Sequence, residues 1–439
     1  MNIEAIYELF RQHPQINTDT RNYLPDSIFL ALKGEHFDGN AFVEQALENG
    51  CAYAITDASG CTVNPRIIQV NNSLHTLQEL ARHHRKQFHI PIIGITGTNG
   101  KTTTKELIAA VLSASYRVLY TQGNLNNHIG VPLTLLQLTC AHDMAVIEMG
   151  ANHPGEIDEL AAIALPTHGI ITNVGKAHLE GFGSFENVIK TKGELYDFLA
   201  KTSGTVFINT GNPFLREMAN QRRGMKLITY KVQEKTVEKN TGEDVVTGNA
   251  VPSTTPFLQL QWKTKQETYT ILSHLIGKYN MENVLAAISV GITFRVPAEK
   301  IGRNIEDYLP QNHRSQFKLT AKNQLIIDTY NANPTSMLAA LKNFLEWGAS
   351  PKAVLLGDMK ELGENSRVEH EKIIDFIEKN SFDMIILCGE CFSSISSSFT
   401  CFPDTNLLIE HLKTNPLQDH AVLIKGSRSM QLEKVIDYL

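Results

Sequence analysis

The stretch that decides the fold is Ile90-Pro-Ile-Ile-Gly-Ile-Thr-Gly-Thr-Asn-Gly-Lys-Thr-Thr-Thr104. An apolar run with strand character ends in a glycine-containing turn, and residues 105–112 have helix-forming character. This order predicts a phosphate-binding loop, because glycines let backbone N–H groups face a polyphosphate and a helix N-terminus attracts anions. We expect Lys101 to reach the outer phosphates of ATP and the Thr102 hydroxyl to hold Mg²⁺.

The spacing of this loop departs from the common nucleotide-binding pattern. That pattern has glycine five residues before Gly100, where this chain has Ile95, and the glycines stand at Gly94 and Gly97 instead. A glycine turn between a strand and a helix with no ligand is the alternative interpretation. The Lys-Thr-Thr sequence has no packing reason of its own, and it therefore favours a nucleotide site.

The composition is typical of a soluble globular protein that is long enough for two or three domains. The 439 residues are 42% hydrophobic and 20% charged, with a formal net charge of −6. The chain has no sustained basic run, which argues against nucleic acid as the main partner. No stretch approaches the ~20 apolar residues that a membrane helix needs, and the N-terminus does not resemble a secretory signal.

Six scattered cysteines indicate a reducing, cytoplasmic compartment. Cys388-Gly-Glu-Cys391 has the spacing of metal ligands, but no second pair of this kind exists. Free thiols are therefore the favoured interpretation over zinc.

Strands alternating with helices predict an α/β fold with three domains and a central parallel sheet. We expect a small α/β domain over 1–86, a P-loop mononucleotide-binding domain over 87–310 and a Rossmann-like α/β domain over 311–439. The segment 231–256 is predicted as a loop with edge hairpins. The predicted strands are 27–33, 51–55, 66–70, 117–120, 144–148, 168–172, 205–209, 324–328, 353–356, 384–387 and 421–424, and the predicted helices are 41–47, 105–112, 278–294, 335–347, 366–379, 404–412 and 429–437.

Ligands of parallel sheets gather beyond the carboxyl ends of the strands, and Glu148 and His178 are candidates near such ends. Glu148 could hold Mg²⁺ that bridges ATP phosphates, or it could be a helix-capping or salt-bridged acid. His178, in a glycine-bordered loop, could serve a metal or a phosphate, or it could be structural. Lys192 lies on a helix that Ser184 could cap, and the local sequence alone favours a solvated charged face there.

Taken together, the motifs resemble those of the Mur ligases, the ATP-dependent amide-forming enzymes of peptidoglycan precursor synthesis. The resemblance runs from Asp19-Thr-Arg21 to Lys425-Gly-Ser-Arg-Ser-Met430. The pieces shared with the family are Gly97-Thr-Asn-Gly-Lys-Thr-Thr103, Glu148, Asn173-Val-Gly-Lys-Ala-His178, Lys192-Gly-Glu194 and Asn280-Met-Glu-Asn283. Four stretches narrow the resemblance within the family: Asn124-Leu-Asn-Asn-His-Ile-Gly-Val-Pro-Leu133, Glu148-Met-Gly-Ala-Asn-His153, Asp328-Thr-Tyr-Asn-Ala-Asn-Pro-Thr-Ser-Met337 and Leu356-Gly-Asp-Met-Lys-Glu-Leu-Gly363.

The resemblance implies a nucleotide site with two Mg²⁺ ions. Lys192 corresponds to the lysine that these ligases carbamylate with CO₂, which turns a cation that repels Mg²⁺ into an oxygen-donor anion. Arg314 would reach the γ-phosphate from the third domain, although this chain has His313 where the family often has glycine. The remaining implied ligands of ATP and metal are Gly97, Thr98, Asn99, Gly100, Lys101, Thr102, Thr103, Asn280, Asn283, Asp328, Glu148 and His178.

The resemblance also implies UDP-N-acetylmuramoyl-tripeptide and D-alanyl-D-alanine as the two substrates of a monomeric enzyme. The first domain would hold the UDP-sugar end, and the third domain would hold the dipeptide and close on ATP. A helix start before Thr335 is an alternative reading of Asn331-Ala-Asn-Pro334 that is compatible with a binding role. The implied substrate-binding residues are Ser27, Lys33, Asp38, Asn127, Asn152, His153, Tyr330, Asn331, Asn333, Ser427 and Arg428.

The implied chemistry is amide formation through an acyl phosphate. Two other functions compete with it: a related ligase that adds an amino acid or glutamate, and an ATPase that switches the binding of a partner. The first alternative is distinguished by the acceptor, because only the favoured function requires a dipeptide. The density of substrate and metal candidates in three domains argues against the second alternative. The sequence does not identify the third residue of the peptide or the base that deprotonates the amine.

Overall fold

The protein, described from a computed structural model, forms three α/β units. The structure describes residues 2–34, 36–59, 64–176, 179–233, 244–265, 267–311, 313–395 and 398–439. Each unit is built around one sheet with helices packed against it, as the alternating pattern predicts.

The N-terminal sheet has four parallel strands in the order β1-β2-β5-β6. The predicted strand 27–33 is divided, because β2 ends at Leu30 and Lys33 begins a separate antiparallel hairpin of β3 and β4. The elements are α1 Ile3–Gln12, β1 Ile16–Asn17, β2 Ile28–Leu30, β3 Lys33–Gly34, β4 Phe37–Asp38, a 3₁₀ turn Gly39–Phe42, α2 Val43–Glu48, β5 Tyr53–Thr56, β6 Ile67–Gln69 and α3 Ser73–Arg85.

Helix α3 joins the N-terminal sheet firmly to the central sheet. Arg85, at its end, is buried and donates hydrogen bonds to the carbonyl oxygens of Ala164 and Leu165. The buried ring of His84 bonds the Tyr7 hydroxyl through Nδ1 and the Leu138 carbonyl through Nε2. Because these polar groups are buried and paired, they fix the orientation of the N-terminal unit.

The central sheet has nine strands in the order β15-β14-β13-β12-β11-β10-β7-β9-β8. Its strands from β8 to β13 are parallel, and β13, β14 and β15 add an antiparallel edge. The elements are β7 Ile92–Thr96, α4 Lys101–Ser113, β8 Val118–Tyr120, α5 Gly130–Leu135, β9 Met144–Glu148, α6 Glu156–Ala164, β10 His168–Ile171, α7 Leu179–Phe182, α8 Phe185–Lys201, β11 Thr205–Asn209, α9 Pro213–Asn220, β12 Lys226–Val232, β13 Val246–Val251, β14 Phe257–Lys263, β15 Thr268–Ile276, a 3₁₀ turn Lys278–Asn280, α10 Met281–Thr293 and α11 Ala298–Glu306.

The antiparallel edge lies later in the chain than the sequence predicts. The segment 231–256 is predicted as a loop with edge hairpins, and its residues 234–243 fall outside the described residues. The hairpin at the edge of the sheet is formed by β14 and β15. In β14, buried Leu258, Leu260 and Trp262 alternate with partly exposed residues. This period of two is a strand signal that the sequence contains.

The C-terminal sheet has six strands in the order β16-β17-β21-β18-β19-β20, and β16 alone is antiparallel to its neighbour. The predicted helix 429–437 is wrong in type, because two 3₁₀ segments occupy it. The elements are β16 Gln316–Leu319, β17 Gln324–Asp328, α12 Pro334–Glu346, β18 Lys352–Gly357, a 3₁₀ turn Gly363–Asn365, α13 Ser366–Glu378, β19 Met384–Cys388, α14 Glu390–Ser394, β20 Thr400–Phe402, α15 Thr405–Thr414, β21 Ala421–Lys425, and 3₁₀ segments Arg428–Met430 and Leu432–Tyr438.

Polar contacts connect the C-terminal unit to the central unit. Lys278 pairs with Glu346 at 2.8 Å, and the Tyr279 hydroxyl lies 2.7 Å from the Ser315 hydroxyl. An apolar contact accompanies these pairs, because the rings of Phe257 and Phe317 pack edge to face with their centroids 5.5 Å apart.

The five cysteines among the described residues form no disulfide. Burial raises the pKa of the Cys388 thiol to about 11. Across the described ranges, no helix combines the length and the apolar character needed to cross a membrane.

Candidate active site

A cavity of about 820 Å³ lies where the phosphate-binding loop faces the C-terminal unit. Most of the residues predicted for nucleotide, metal and peptide line it, although they come from distant parts of the sequence. The lining includes Thr98, Asn99, Gly100, Lys101, Thr102, Thr103, Asn127, Glu148, Asn152, Asn280, Asn283, Arg314, Asp328, Tyr330, Asn331 and Asn333.

The loop between β7 and α4 requires its two glycines. Gly97 has a φ of 143°, and a Cβ there would lie 2.0 Å from Thr172 Oγ1. Gly100 has a φ of 78°, and a Cβ there would lie 2.5 Å from Asn283 Oδ1. Only glycine combines these backbone angles with such close neighbours.

Asn173 holds the phosphate-binding loop in place, a role that the sequence did not reveal. Its Oδ1 accepts a hydrogen bond from the Asn99 amide at 3.0 Å, and its Nδ2 donates to the Asn99 carbonyl at 3.1 Å. Thr172 also donates to that carbonyl at 2.6 Å. The loop is therefore pre-shaped by the end of the neighbouring strand β10.

The Lys101 ammonium folds back over the loop. Its Nζ donates to the Gly97 carbonyl at 2.8 Å and to the Thr98 carbonyl at 3.1 Å. Burial lowers the pKa of Lys101, Glu148 opposes this shift and Arg314 adds to it. Among the described residues, no carboxylate lies in hydrogen-bond contact with this ammonium, and a polyphosphate would supply the missing negative charge.

Glu148, at the end of β9, presents oxygen atoms that fit a hard divalent cation. Its Oε1 accepts hydrogen bonds from Thr102 at 3.2 Å and from Asn126 at 2.8 Å. Its Oε2 makes no hydrogen bond within the described residues, although the side chain is only 1% exposed. A buried carboxylate oxygen without a hydrogen bond is costly, and coordination of Mg²⁺ together with Thr102 would satisfy it.

Lys105 lies behind Glu148 and was not among the predicted site residues. Its Nζ is 4.0 Å from Glu148 Oε2 and 3.6 Å from Glu106 Oε1, and it makes no hydrogen bond among the described residues. Burial lowers the pKa of this lysine, and the two glutamates oppose the shift. The sequence places Lys105 one helical turn after Lys101, on the same face of α4, and this spacing is the pattern that indicates a site residue.

Lys192 is buried on α8, which Ser184 caps as the sequence suggested. The residue is 2% exposed, and its Nζ donates to the Ala151 carbonyl at 3.4 Å. Lys192 is therefore not on a solvated charged face, which is what the local sequence favours. Burial lowers the pKa of Lys192 to about 7, and the Lys101 ammonium contributes to the shift. A large fraction of neutral amine is therefore present near neutral pH.

The asparagines predicted for adenine form a buried network at the start of α10. Asn283 Nδ2 donates to Asn280 Oδ1 at 2.8 Å, and Asn280 Nδ2 donates to the Ile276 carbonyl. Asn283 Oδ1 accepts from the Thr104 hydroxyl of α4. Both asparagines line the cavity, and these bonds hold their side chains rigid.

Asp328, predicted for the ribose, pairs with a lysine that sequence reasoning missed. Lys425 Nζ lies 2.5 Å from Asp328 Oδ2 and 3.2 Å from the Asn331 carbonyl. The two residues are opposite each other at the carboxyl ends of β17 and β21. Because the two residues are 97 positions apart in the sequence, no local pattern predicts this pairing.

Arg314 and Arg428 both lie over the ring of Tyr330. The distances from the guanidinium carbon to the ring centroid are 3.6 Å for Arg314 and 5.0 Å for Arg428. The preceding His313 has a φ of 55°, a left-handed conformation that glycine adopts freely. This agrees with the glycine that the family often has there.

The segment after Asp328 faces the phosphate-binding loop. Asn333 caps α12 with a complete capping box, which confirms the alternative reading of this motif as a helix start. Its Nδ2 also donates to Asn99 Oδ1 at 2.8 Å. Ser427 is buried, and its hydroxyl accepts from the Lys360 amide.

The residues predicted to bind the UDP-sugar differ from one another in how deeply they are buried. Ser27 is fully buried, and its hydroxyl donates to the Leu24 carbonyl at 2.6 Å. Lys33 lies on the exposed hairpin and pairs with Asp57 at 3.1 Å, which raises the pKa of Lys33. Asp38, at the end of that hairpin, accepts a hydrogen bond from the Asn40 amide of the following 3₁₀ turn.

Two of the predicted substrate contacts, Asn152 and His153, lie in the loop after β9, and a third, Asn127, lies between β8 and α5. The backbone amides of Asn152 and His153 donate to Glu156 Oε2 at 2.6 and 3.0 Å, and Asn127 Oδ1 accepts from the Gly130 amide. His178, predicted for metal and catalysis, lies outside the described residues. The roles assigned to these side chains stay predictions.

Three family models match the chain in succession. The model "Mur ligase family, catalytic domain" matches residues 14–85, "Mur ligase middle domain" matches 95–291, and "Mur ligase, glutamate ligase domain" matches 313–428. A relative from Bacillus subtilis (strain 168), the UDP-N-acetylmuramoyl-tripeptide--D-alanyl-D-alanine ligase, is 34% identical over 435 residues, which cover 96% of this chain and 92% of the relative. The chain belongs to the Mur ligase family.

Solved structures agree with this assignment and with the α/β fold. The Mur ligase described here matches MurF from Acinetobacter baumannii with a TM-score of 0.84 and 31% identity, covering 96% of this chain and 92% of that chain. It matches the MurF ligase from Thermotoga maritima in complex with ADP with a TM-score of 0.84 and 26% identity, covering 97% of both chains. The resemblance drawn from the sequence motifs is confirmed.

Proposed function

We propose that this Mur ligase joins D-alanyl-D-alanine to UDP-N-acetylmuramoyl-tripeptide, with conversion of ATP to ADP and phosphate. The observation that carries the proposal is the single cavity that brings Lys101, Thr102 and Glu148 of the central unit together with Arg314 and Tyr330 of the C-terminal unit. Relatives that bear this activity in their names align over nearly the full chain. The product is a UDP-linked pentapeptide precursor of peptidoglycan.

The first step is transfer of the γ-phosphoryl group to the terminal carboxylate of the tripeptide. A carboxylate oxygen attacks the γ-phosphorus, the bond from phosphorus to the β–γ bridging oxygen breaks, and an acyl phosphate and ADP form. Lys101 and Arg314 lie on the central and C-terminal sides of the cavity, and both are cations without a carboxylate in hydrogen-bond contact among the described residues. They would stabilise the charge that spreads over the phosphoryl oxygens.

The residues that would hold Mg²⁺ are Thr102, Glu148, a carbamate on Lys192 and, outside the described residues, His178. Bound Mg²⁺ neutralises charge on the phosphates during transfer. Carbamylation requires a neutral amine, and the lowered pKa of Lys192 supplies it near neutral pH. The buried position of this lysine also protects a carbamate from water.

The second step is attack by the amine of the dipeptide on the carbonyl carbon of the acyl phosphate. The bond between that carbon and the phosphate oxygen breaks, and phosphate leaves. Tyr330, Asn331, Asn333, Ser427 and Arg428 are the groups we assign to the dipeptide. Exclusion of water protects the acyl phosphate until the amine arrives.

We assign the UDP-sugar end of the first substrate to the N-terminal unit, with Lys33 and Asp38 on the hairpin of β3 and β4. The proposed domains are 1–86 for the UDP-sugar, 87–310 for ATP and 311–439 for the dipeptide. We further propose that the enzyme acts in the cytoplasm as a monomer.

A panel of amines tests the proposed specificity. With UDP-N-acetylmuramoyl-tripeptide, ATP and Mg²⁺, we expect phosphate release above background with D-alanyl-D-alanine and not with D-alanine, glutamate or a diamino acid. A related ligase would instead prefer a single amino acid. Equal release with no amine at all would indicate a switch ATPase and contradict the proposal.

We expect the C-terminal unit to close on the central unit when nucleotide and peptide bind. The pair of Lys278 and Glu346 between the two units is exposed, and phosphate bound to both Lys101 and Arg314 would draw the units together. Small-angle scattering should give a smaller radius of gyration with ATP analogue and tripeptide than without ligands. An unchanged scattering curve would exclude closure.

A further inference from the structure

We propose that Tyr330 is a positioning residue whose ring orders Arg314 for the nucleotide and Arg428 for the carboxylate of the incoming dipeptide. This inference rests on the proposed function. It differs from a direct contact between Tyr330 and substrate, because the ring would act through the two guanidinium groups.

The geometry places two cations on one aromatic side chain. Arg314 lies 3.6 Å and Arg428 lies 5.0 Å from the ring centroid, both within the ~6 Å over which a ring attracts a cation. Attraction to a ring does not require a hydrogen bond from the N–H edges of a guanidinium group. Those edges are the part that binds carboxylate and phosphate in pairs of hydrogen bonds.

Both arginines lack a carboxylate partner in the part of the chain that the structure describes. Within the described residues, no ion pair joins Arg314 or Arg428 to an Asp or Glu side chain, and Arg314 Nε is buried without a hydrogen-bond partner. Some other arginines of the chain are paired with a carboxylate, such as Arg222 with Asp197 at 2.8 Å. Arg314 lines the cavity and Arg428 is exposed beside the same ring, so both guanidinium groups are available to an anionic ligand.

The ring, and not the hydroxyl, makes these contacts. No hydrogen bond of the Tyr330 hydroxyl is present among the described residues, and the residue is part-exposed at the cavity. Arg314 is on the segment that enters the C-terminal unit, and Arg428 follows β21. Tyr330 thus connects the arginine assigned to ATP with the arginine assigned to the second substrate.

Replacement of the ring tests the proposal. For Tyr330→Leu we expect the KM for D-alanyl-D-alanine to rise about tenfold, the change that loss of one cation–π interaction of average strength produces. Tyr330→Phe, which keeps the ring, should recover most of this loss. Tyr330→Met replaces the leucine variant if that variant does not fold, as judged by its thermal unfolding.

Three further measurements separate a positioning role from a merely structural one. D-alanyl-D-alaninamide lacks the carboxylate. The KM for this amide should therefore be nearly the same for Tyr330→Leu as for the natural chain. The effects of Tyr330→Leu and Arg428→Ala on the dipeptide KM should be less than additive. Tyr330→Leu should weaken binding of a non-hydrolysable ATP analogue, which has a γ-phosphate, more than binding of ADP.

Tyr438→Leu is the matched control, because Lys413 lies over that ring 5.6 Å from its centroid and away from the cavity. A dipeptide KM within twofold of the natural value in Tyr330→Leu, or an equal defect in Tyr330→Phe, would overturn the proposal. Absence of pentapeptide formation by the natural chain would instead overturn the proposed function, so the two failures are distinguishable.

Discussion

Lys101→Met is expected to lower kcat by about 10³-fold or more, the range found when a charge that stabilises a phosphoryl or oxyanion transition state is removed. Methionine keeps the unbranched chain but removes the ammonium that lies 2.8 Å from the Gly97 carbonyl. The phosphate-binding loop itself is held by Asn173 and Thr172, so its shape should survive the change. Single-turnover rates of ADP formation measure the effect.

Lys322→Met is the matched control, because Lys322 is exposed and lies away from the cavity. Its kcat should equal that of the natural chain. A folded Lys101→Met protein with natural turnover would remove this lysine from the phosphoryl-transfer step, and the nucleotide would then have to be placed elsewhere.

Lys192→Ala is expected to lower kcat by about 10² to 10³-fold, and added bicarbonate should restore none of it. The loss follows because alanine cannot be carbamylated and leaves one oxygen ligand missing. The exposed Lys190 of the same helix offers a control, and Lys190→Ala should keep natural activity. Near-natural turnover of Lys192→Ala would exclude a carbamate from the metal site.

The pH dependence of reactivation gives a second test of Lys192. Since its pKa is lowered to about 7, the amine is mostly protonated at pH 6 and mostly neutral at pH 8. After removal of CO₂, the rate of recovery at a fixed CO₂ concentration should rise about tenfold between these pH values and then level off. A rate that keeps rising toward pH 10 would indicate a lysine with an ordinary pKa.

The sequence predicts the parts of the site that depend on local chemistry. The phosphate-binding loop, the strand before Glu148 and the capping of α8 by Ser184 all follow from short-range patterns, and the structure has each of them. The alternation of strands and helices also predicts the third unit, and only the family motifs connect it to the same site as the first two. The α/β class follows from the alternation of strands and helices.

Pairings between distant segments could not be predicted from one sequence. Asp328 and Lys425 meet because β17 and β21 are neighbours, a consequence of strand order that no spacing encodes. The burial of Lys192 depends on how the loop at Ala151 packs over α8, and its local sequence indicates the opposite, an exposed charged face. Lys105 was overlooked because a lysine in the second turn of a helix is usually solvated.

The central claim is that ATP activates the carboxyl end of the peptide through a covalent bond to phosphate. Tripeptide substrate labelled with ¹⁸O in its terminal carboxylate tests this claim, since one labelled oxygen must leave with phosphate when the amide forms. With D-alanyl-D-alanine and unlabelled ATP, mass spectrometry should find one ¹⁸O in each released phosphate and a pentapeptide product. Pentapeptide formed together with unlabelled phosphate would contradict the account.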